Sequence, residues 1–133
     1  MRQSMIVSVV LVVVAVLAGL PVAVGDSGPS YAADIEPVFA KRCGKCHAVG
    51  EAKADLVLDP GRGFAMLVGR ASTQVPEKLL VEPGSPEGSY LWSKLIHESE
   101  VGKGMPKTLL GAKRIPQEEL DLIRAWIETG AQP

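Results

Sequence analysis

Both cysteines of the chain and one of its two histidines fall within five residues, Cys43-Gly44-Lys45-Cys46-His47. A C-x-x-C-H pentad sets two thiols about one helical turn apart, with an imidazole beside the second. That spacing matches the two vinyl groups of a porphyrin. Each sulfur adds across one vinyl to give a thioether, and the adjacent histidine turns under the ring to ligate its iron. Three rival chemistries use the same residue types. A thioredoxin-like redox pair expects a βαβ context, which the flanking sequence lacks. A zinc site needs four ligands, and there is no second cysteine pair; His97 is the remaining histidine. A disulfide across two residues is strained. The pentad therefore reads as a covalent haem attachment site, with Cys43 and Cys46 as thioether donors and His47 as proximal ligand.

Met105 is the best candidate for a second axial ligand. Gly104 before it lets the backbone approach the ring. Pro106 after it stiffens the loop, so a weak thioether is held at low ordering cost. His97 competes for the same role, against the alternative of a solvated histidine in a polar turn before Glu98-Ser99-Glu100. Met66, in Phe64-Ala65-Met66-Leu67-Val68, reads as core packing, and an open sixth position is the remaining option. Trp92, Trp126, Tyr90 and Phe39 read as packing residues. Lys41, Arg42 and Lys45 are either a solvated helix face or a positive rim that steers an acidic redox partner.

These groups need a scaffold, and 133 residues suffice for one compact domain. With 14 glycines and 10 prolines and few aromatics, the domain is expected to be loop-rich, with a modest core to which a haem would add apolar bulk. The net charge of −1 carries no nucleic-acid footprint.

The N-terminus has the pattern of an export leader, residues 1–25. Arg2 supplies one positive charge, Met5 to Leu20 is uncharged and apolar, Pro21 breaks the run, and Ala23-Val24-Gly25 offers small residues for cleavage after Gly25. Ser30-Tyr31-Ala32 is a second cleavage candidate. The alternative is an uncleaved anchor, since Met5 to Val24 is just long enough to span a bilayer. Loss of Arg2 would leave 13 basic against 15 acidic side chains. Residues 26–30 read as a linker and 31–133 as the domain.

Within the domain, the sequence predicts a helix opening at Asp34 as N-cap, with Pro37 in its first turn, that delivers both cysteines from its last turns. Gly44 is expected to keep space near the ring open. Leu56 to Gly61 reads as an extended piece ending in a turn, and a carbonyl near Asp59 or Pro60 is a candidate acceptor for the His47 N–H. Gly63 to Leu67 suits a short helix. Ser85-Pro86-Glu87 has the form of a helix start, with Tyr90, Leu91, Lys94 and Leu95 on one face. A last helix from Pro116 buries Leu120, Ile123, Trp126 and Ile127 and ends at Gly130. No strand pair is predicted, so the fold class is mainly α.

Taken together, these segments resemble a monohaem cytochrome c domain, and more closely the exported bacterial cytochromes c of the planctomycete type. The likeness runs through Tyr31 to Phe39, the pentad, Leu56 to Asp59, Val81 to Leu91, Met105-Pro106 and Ile123 to Ala131, motifs distributed from about residue 31 to 131, nearly the whole mature chain. The resemblance implies a cytochrome c-like fold in which the first and last helices cross with Phe39 near Trp126, and it implies His47 and Met105 as the axial pair. Lys107 stands where the family usually has a second proline. The G-P-x-L segment of mitochondrial-type cytochromes is missing, so that family's docking surface does not carry over.

The function expected is one-electron transfer in the periplasm by a haem c whose axial positions are both filled, with redox proteins as partners and no turnover chemistry. The alternative localisation is the periplasmic face of the inner membrane. The alternative function is a haem-based sensor or ligand-binding module in which Met105 is detached or displaceable. A peroxidase-like enzyme is a third reading, and the chain lacks an evident distal acid–base pair.

Overall fold

The computed structural model describes residues 28–133. The predicted leader, its cleavage sites and its alternative as an anchor lie outside these residues. Among the described residues no helix is long and apolar enough to cross a membrane. The regular elements are four short helices, α1 (Glu36–Arg42), α2 (Gly63–Leu67), α3 (Tyr90–Leu95) and α4 (Gln117–Glu128), and one hairpin of β1 (Lys107–Thr108) and β2 (Gly111–Ala112). The hairpin is antiparallel, with Lys107 opposite Ala112 and Thr108 opposite Gly111. Strand pairing, absent from the sequence expectation, is thus present in two residues on each side. The hairpin's two tip residues, Leu109 and Leu110, are fully exposed.

The chain begins to coil earlier than predicted. Tyr31–Ile35 forms a π-helical turn that runs directly into α1. Its N-cap is Ser30, whose hydroxyl accepts from the Ala33 N–H at 3.2 Å, while the Asp34 carboxylate accepts from the Ser30 N–H at 2.8 Å. Asp34 is therefore the reciprocal half of a cap and not the cap itself. Pro37 has no N–H to offer, so the hydrogen-bond spacing changes where α1 opens.

The expected helix start at Ser85-Pro86-Glu87 is a turn instead. Ser85 Oγ accepts from the Gly88 N–H at 3.1 Å, and Gly84 takes a positive φ of 83°. α3 opens only at Tyr90, because the N–H groups of Tyr90 and Leu91 donate to the carbonyls of Leu79 and Leu80, both at 2.9 Å. The extended segment beside it satisfies the first free donors of the helix.

α4 begins one residue later than predicted, with Pro116 as N-cap. Its buried face is the expected one: Leu120, Ile123, Trp126 and Ile127. It ends where Gly130 adopts a φ of 99°, with Ala131 N–H donating to Trp126 O at 2.8 Å and Gly130 N–H to Ile127 O at 3.0 Å. This pair of bonds is a Schellman closure.

The core is built where the first coil meets α4. The Tyr31 ring lies 5.5 Å from Trp126, 5.7 Å from Phe64 and 6.1 Å from Phe39, in tilted or edge-on geometries that aromatic quadrupoles favour. Tyr31 thus packs against both Phe39 and Trp126, the two rings that the resemblance places near each other. A second tie joins the end of α1 to the start of α4. Arg42 donates twice to the Glu119 carboxylate, at 2.7 and 2.8 Å, and Lys41 lies 3.7 Å from the same group. Each charge also suits its own helix, cationic in the last turn of α1 and anionic in the first turn of α4.

Candidate haem site

α1 ends at Arg42, so the pentad does not ride on the helix as predicted. It occupies the turns that follow. The Cys43 and Gly44 N–H groups both return to Phe39 O, at 2.8 and 3.0 Å, and the Cys46 and His47 N–H groups return to Cys43 O, at 3.0 and 3.1 Å. Gly44 is needed for a reason other than open space at a ring: a Cβ there would stand 2.7 Å from the Ala40 carbonyl.

The extended segment after the pentad fixes the imidazole. His47 Nδ1 lies 3.2 Å from Leu56 O, and the Leu58 N–H donates to His47 O at 2.6 Å. The acceptor is therefore Leu56, not a carbonyl near Asp59 or Pro60. The Asp59 side chain instead accepts from the Val49 N–H at 3.0 Å. A carbonyl can only accept, so Nδ1 carries the proton and Nε2 keeps its lone pair. Burial also pulls the His47 pKa below its ordinary value, against the smaller opposing effect of its backbone hydrogen bonds. Burial thus favours the neutral imidazole that a metal requires, and the Nδ1–Leu56 bond decides which nitrogen stays free.

Cys43, Cys46 and His47 lie on the wall of a cavity of about 710 Å³, and Met105 lies on the same wall system. Leu56, Leu58, Leu80, Leu91 and Leu95 supply apolar lining, while Lys45, Lys53 and Arg70 also reach it. The volume lies in the range of small-molecule and cofactor sites. Both cysteines are free thiols. Burial, and secondarily the charge of Cys46, pushes the Cys43 thiol up to about 12. A reactive redox cysteine has the opposite environment, one that lowers its pKa. Among the described residues, no three His, Cys, Asp or Glu side chains gather as a metal-ligand group. The donor set does suit a covalently held haem: two free thiols, an imidazole with a free Nε2 and a thioether, all bordering one largely apolar space.

The structure redistributes the other candidates. Met66, read as core packing, is half-buried and also lines the cavity. His97 is neither a solvated side chain nor part of the lining. It takes a left-handed φ of 64°, and its Nε2 lies 3.1 Å from Met105 O. Gly104 is required by that arrangement, since any Cβ would collide with the His97 ring. The Met105–Pro106 peptide bond is cis. Of the three cationic residues around the pentad, Arg42 is committed to Glu119 and Lys41 sits beside it, which leaves Lys45 exposed at the cavity.

The sequence reading missed Lys94, which is only 5% exposed. A signal was present, because Lys94 falls on the same helical face as Tyr90, Leu91 and Leu95, an unusual place for a cation. Comparison with protein-family models, curated proteins and solved structures gave no match.

Proposed function

We propose that this chain is an exported monohaem c-type cytochrome, a one-electron carrier that works in the periplasm or, if its leader is retained, at the inner membrane facing it. The observation that carries the reading is that Cys43, Cys46, His47 and Met105 border a single, mainly apolar cavity. When bound, the haem supplies the Fe(III)/Fe(II) couple. The chain's own part is to provide two sulfurs for thioether bonds, to hold the His47 Nε2 lone pair toward iron through the Nδ1–Leu56 bond, and to offer the Met105 thioether. The leucines of the lining would give the bound haem an apolar wall, which limits solvent reorganisation when the charge changes. With His47 and Met105 both ligated, no substrate reaches the metal, so the protein serves redox partners and not a turnover reaction.

The test is a haem stain and mass measurement on the periplasmic fraction, followed by a near-infrared spectrum of the ferric protein. The expected result is one added haem, together with the weak sulfur-to-iron band of methionine ligation. A Met105→Ala change abolishes that band and a Met66→Leu change leaves it. No added haem sinks the whole reading. Haem without the band favours the ligand-binding alternative. A band that survives loss of Met105 and disappears with Met66 moves the sixth ligand to α2.

A further inference from the structure

The segment between α3 and the hairpin, residues 97–105, is tied at several points, and Lys94 holds it at both Val101–Lys103 and Met105. We propose that Lys94 is the positioning residue for the Met105 thioether, an inference that rests on the axial role proposed for Met105. Lys94 acts through both of its ends. Its backbone carbonyl accepts from the Met105 N–H at 2.9 Å. Its ammonium, at the other end of the side chain, donates to Val101 O and to Lys103 O, at 2.5 and 3.3 Å. One turn earlier on the same helix, the Tyr90 hydroxyl lies 2.9 Å from Val101 O. The Tyr90 ring lies 5.0 Å from the Lys94 ammonium, within cation–π range.

The charge itself calls for an explanation. A buried lysine without a carboxylate is costly, and among the described residues no carboxylate pairs with this one. Two backbone carbonyls and an aromatic face are its whole compensation. The same contacts close the loop, so the charge is retained where it immobilises the chain just before the ligand. Gly102, with a φ of 71°, belongs to the same device: a Cβ there would come within 2.7 Å of the ammonium. A thioether is a weak, uncharged ligand, so its occupancy depends on how little freedom its loop retains.

The experiment replaces Lys94 with leucine in the matured haem protein. Lys94 also lines the cavity, and leucine keeps an apolar stem there while removing the donor without adding a sulfur ligand. The near-infrared methionine band of the ferric form should be lost or strongly reduced. Exogenous imidazole, competing for the sixth position, should bind with an apparent Kd lower by about tenfold, the scale of one charge-assisted hydrogen bond. A lysine that served stability alone would lower the melting temperature and leave both readouts at parental values, and that result overturns the proposal. If Lys94→Leu does not accumulate as holoprotein, Tyr90→Phe decides. It removes the hydroxyl that meets Val101 O and, at 3.1 Å, Gln74 Oε1, and it should tighten imidazole binding by roughly threefold. An unchanged Kd there also overturns the inference. A parent protein that lacks the band, or keeps it after Met105→Ala, identifies the failure as one of the axial assignment, and the role of Lys94 falls with it.

Discussion

The two sides of the cavity are held by different physics. On the attachment side, the pentad follows α1, whose inner residue Phe39 is buried in the aromatic core, and the turn returns its N–H groups to the Phe39 carbonyl. The position of those sulfurs is set by apolar packing close to them in sequence. On the Met105 side, the loop owes its shape to polar ties: the Lys94 ammonium and carbonyl, the Tyr90 hydroxyl and the His97 imidazole. One side is as rigid as the domain's core. The other is as rigid as a handful of hydrogen bonds, each worth about 1 kcal/mol net. A site built this way can keep its cofactor while its sixth ligand is perturbed.

Replacing Phe39 with alanine is the strongest way to test that contrast. It should destabilise the whole domain by about 3–5 kcal/mol, as measured by denaturant unfolding. A loss under about 1 kcal/mol would mean that α1 is not anchored through this ring.

Acid comes next and acts on the attachment side. Burial holds the His47 pKa below its ordinary 6.5, so the unfolded chain takes up that proton first, and stability should decline as pH drops below about 6.5. Arg42 holds the Glu119 carboxyl below its ordinary 4.5. The contribution of that pair is intact above 4.5 and is lost as pH falls through the lower folded value. In the haem-free chain, melting temperature against pH should therefore fall in two stages from pH 7 downward, and Glu119→Gln should shrink the lower stage, to which Glu87, held low by its own backbone N–H and by Arg124, also contributes. A flat profile between pH 7 and 5 would contradict the His47 environment.

A smaller effect, of opposite sign, is expected in the core. The Tyr31 hydroxyl is buried with no hydrogen-bond partner, and its ionisation is pushed far up, mainly by that burial. Tyr31→Phe removes an unsatisfied polar atom and should raise stability by roughly 1 kcal/mol. A comparable loss would show that the hydroxyl has a partner in the folded protein.

The smallest global effect belongs to the Met105 side. His97→Gly relieves a left-handed backbone but deletes the bond to Met105 O, two terms of about 1 kcal/mol that oppose each other. Net stability should move by less than about 1 kcal/mol, while hydrogen exchange at the Met105 amide accelerates. Unchanged exchange would remove His97 from the loop's support.

The attachment chemistry proposed for Cys43, Cys46 and His47 was read from particular residue types at a short, fixed spacing, without reference to anything distant. The buried stripe of α4 and its glycine stop were legible for a similar reason: helical period and a positive φ leave local marks. The Ser30–Asp34 cap was misassigned by four residues because both residues are good caps and only their mutual bonding separates the roles. Tertiary structure alone decided which carbonyl orients His47, that the His97 imidazole meets the Met105 carbonyl, that the Tyr31 ring packs against both Phe39 and Trp126, and that a lysine on an apolar face reaches the loop of the proposed sixth ligand. Each of these depends on which carbonyl or ring lies within about 3–6 Å of a side chain, a property of how the loops return to the helices and not of how residues are spaced along the chain.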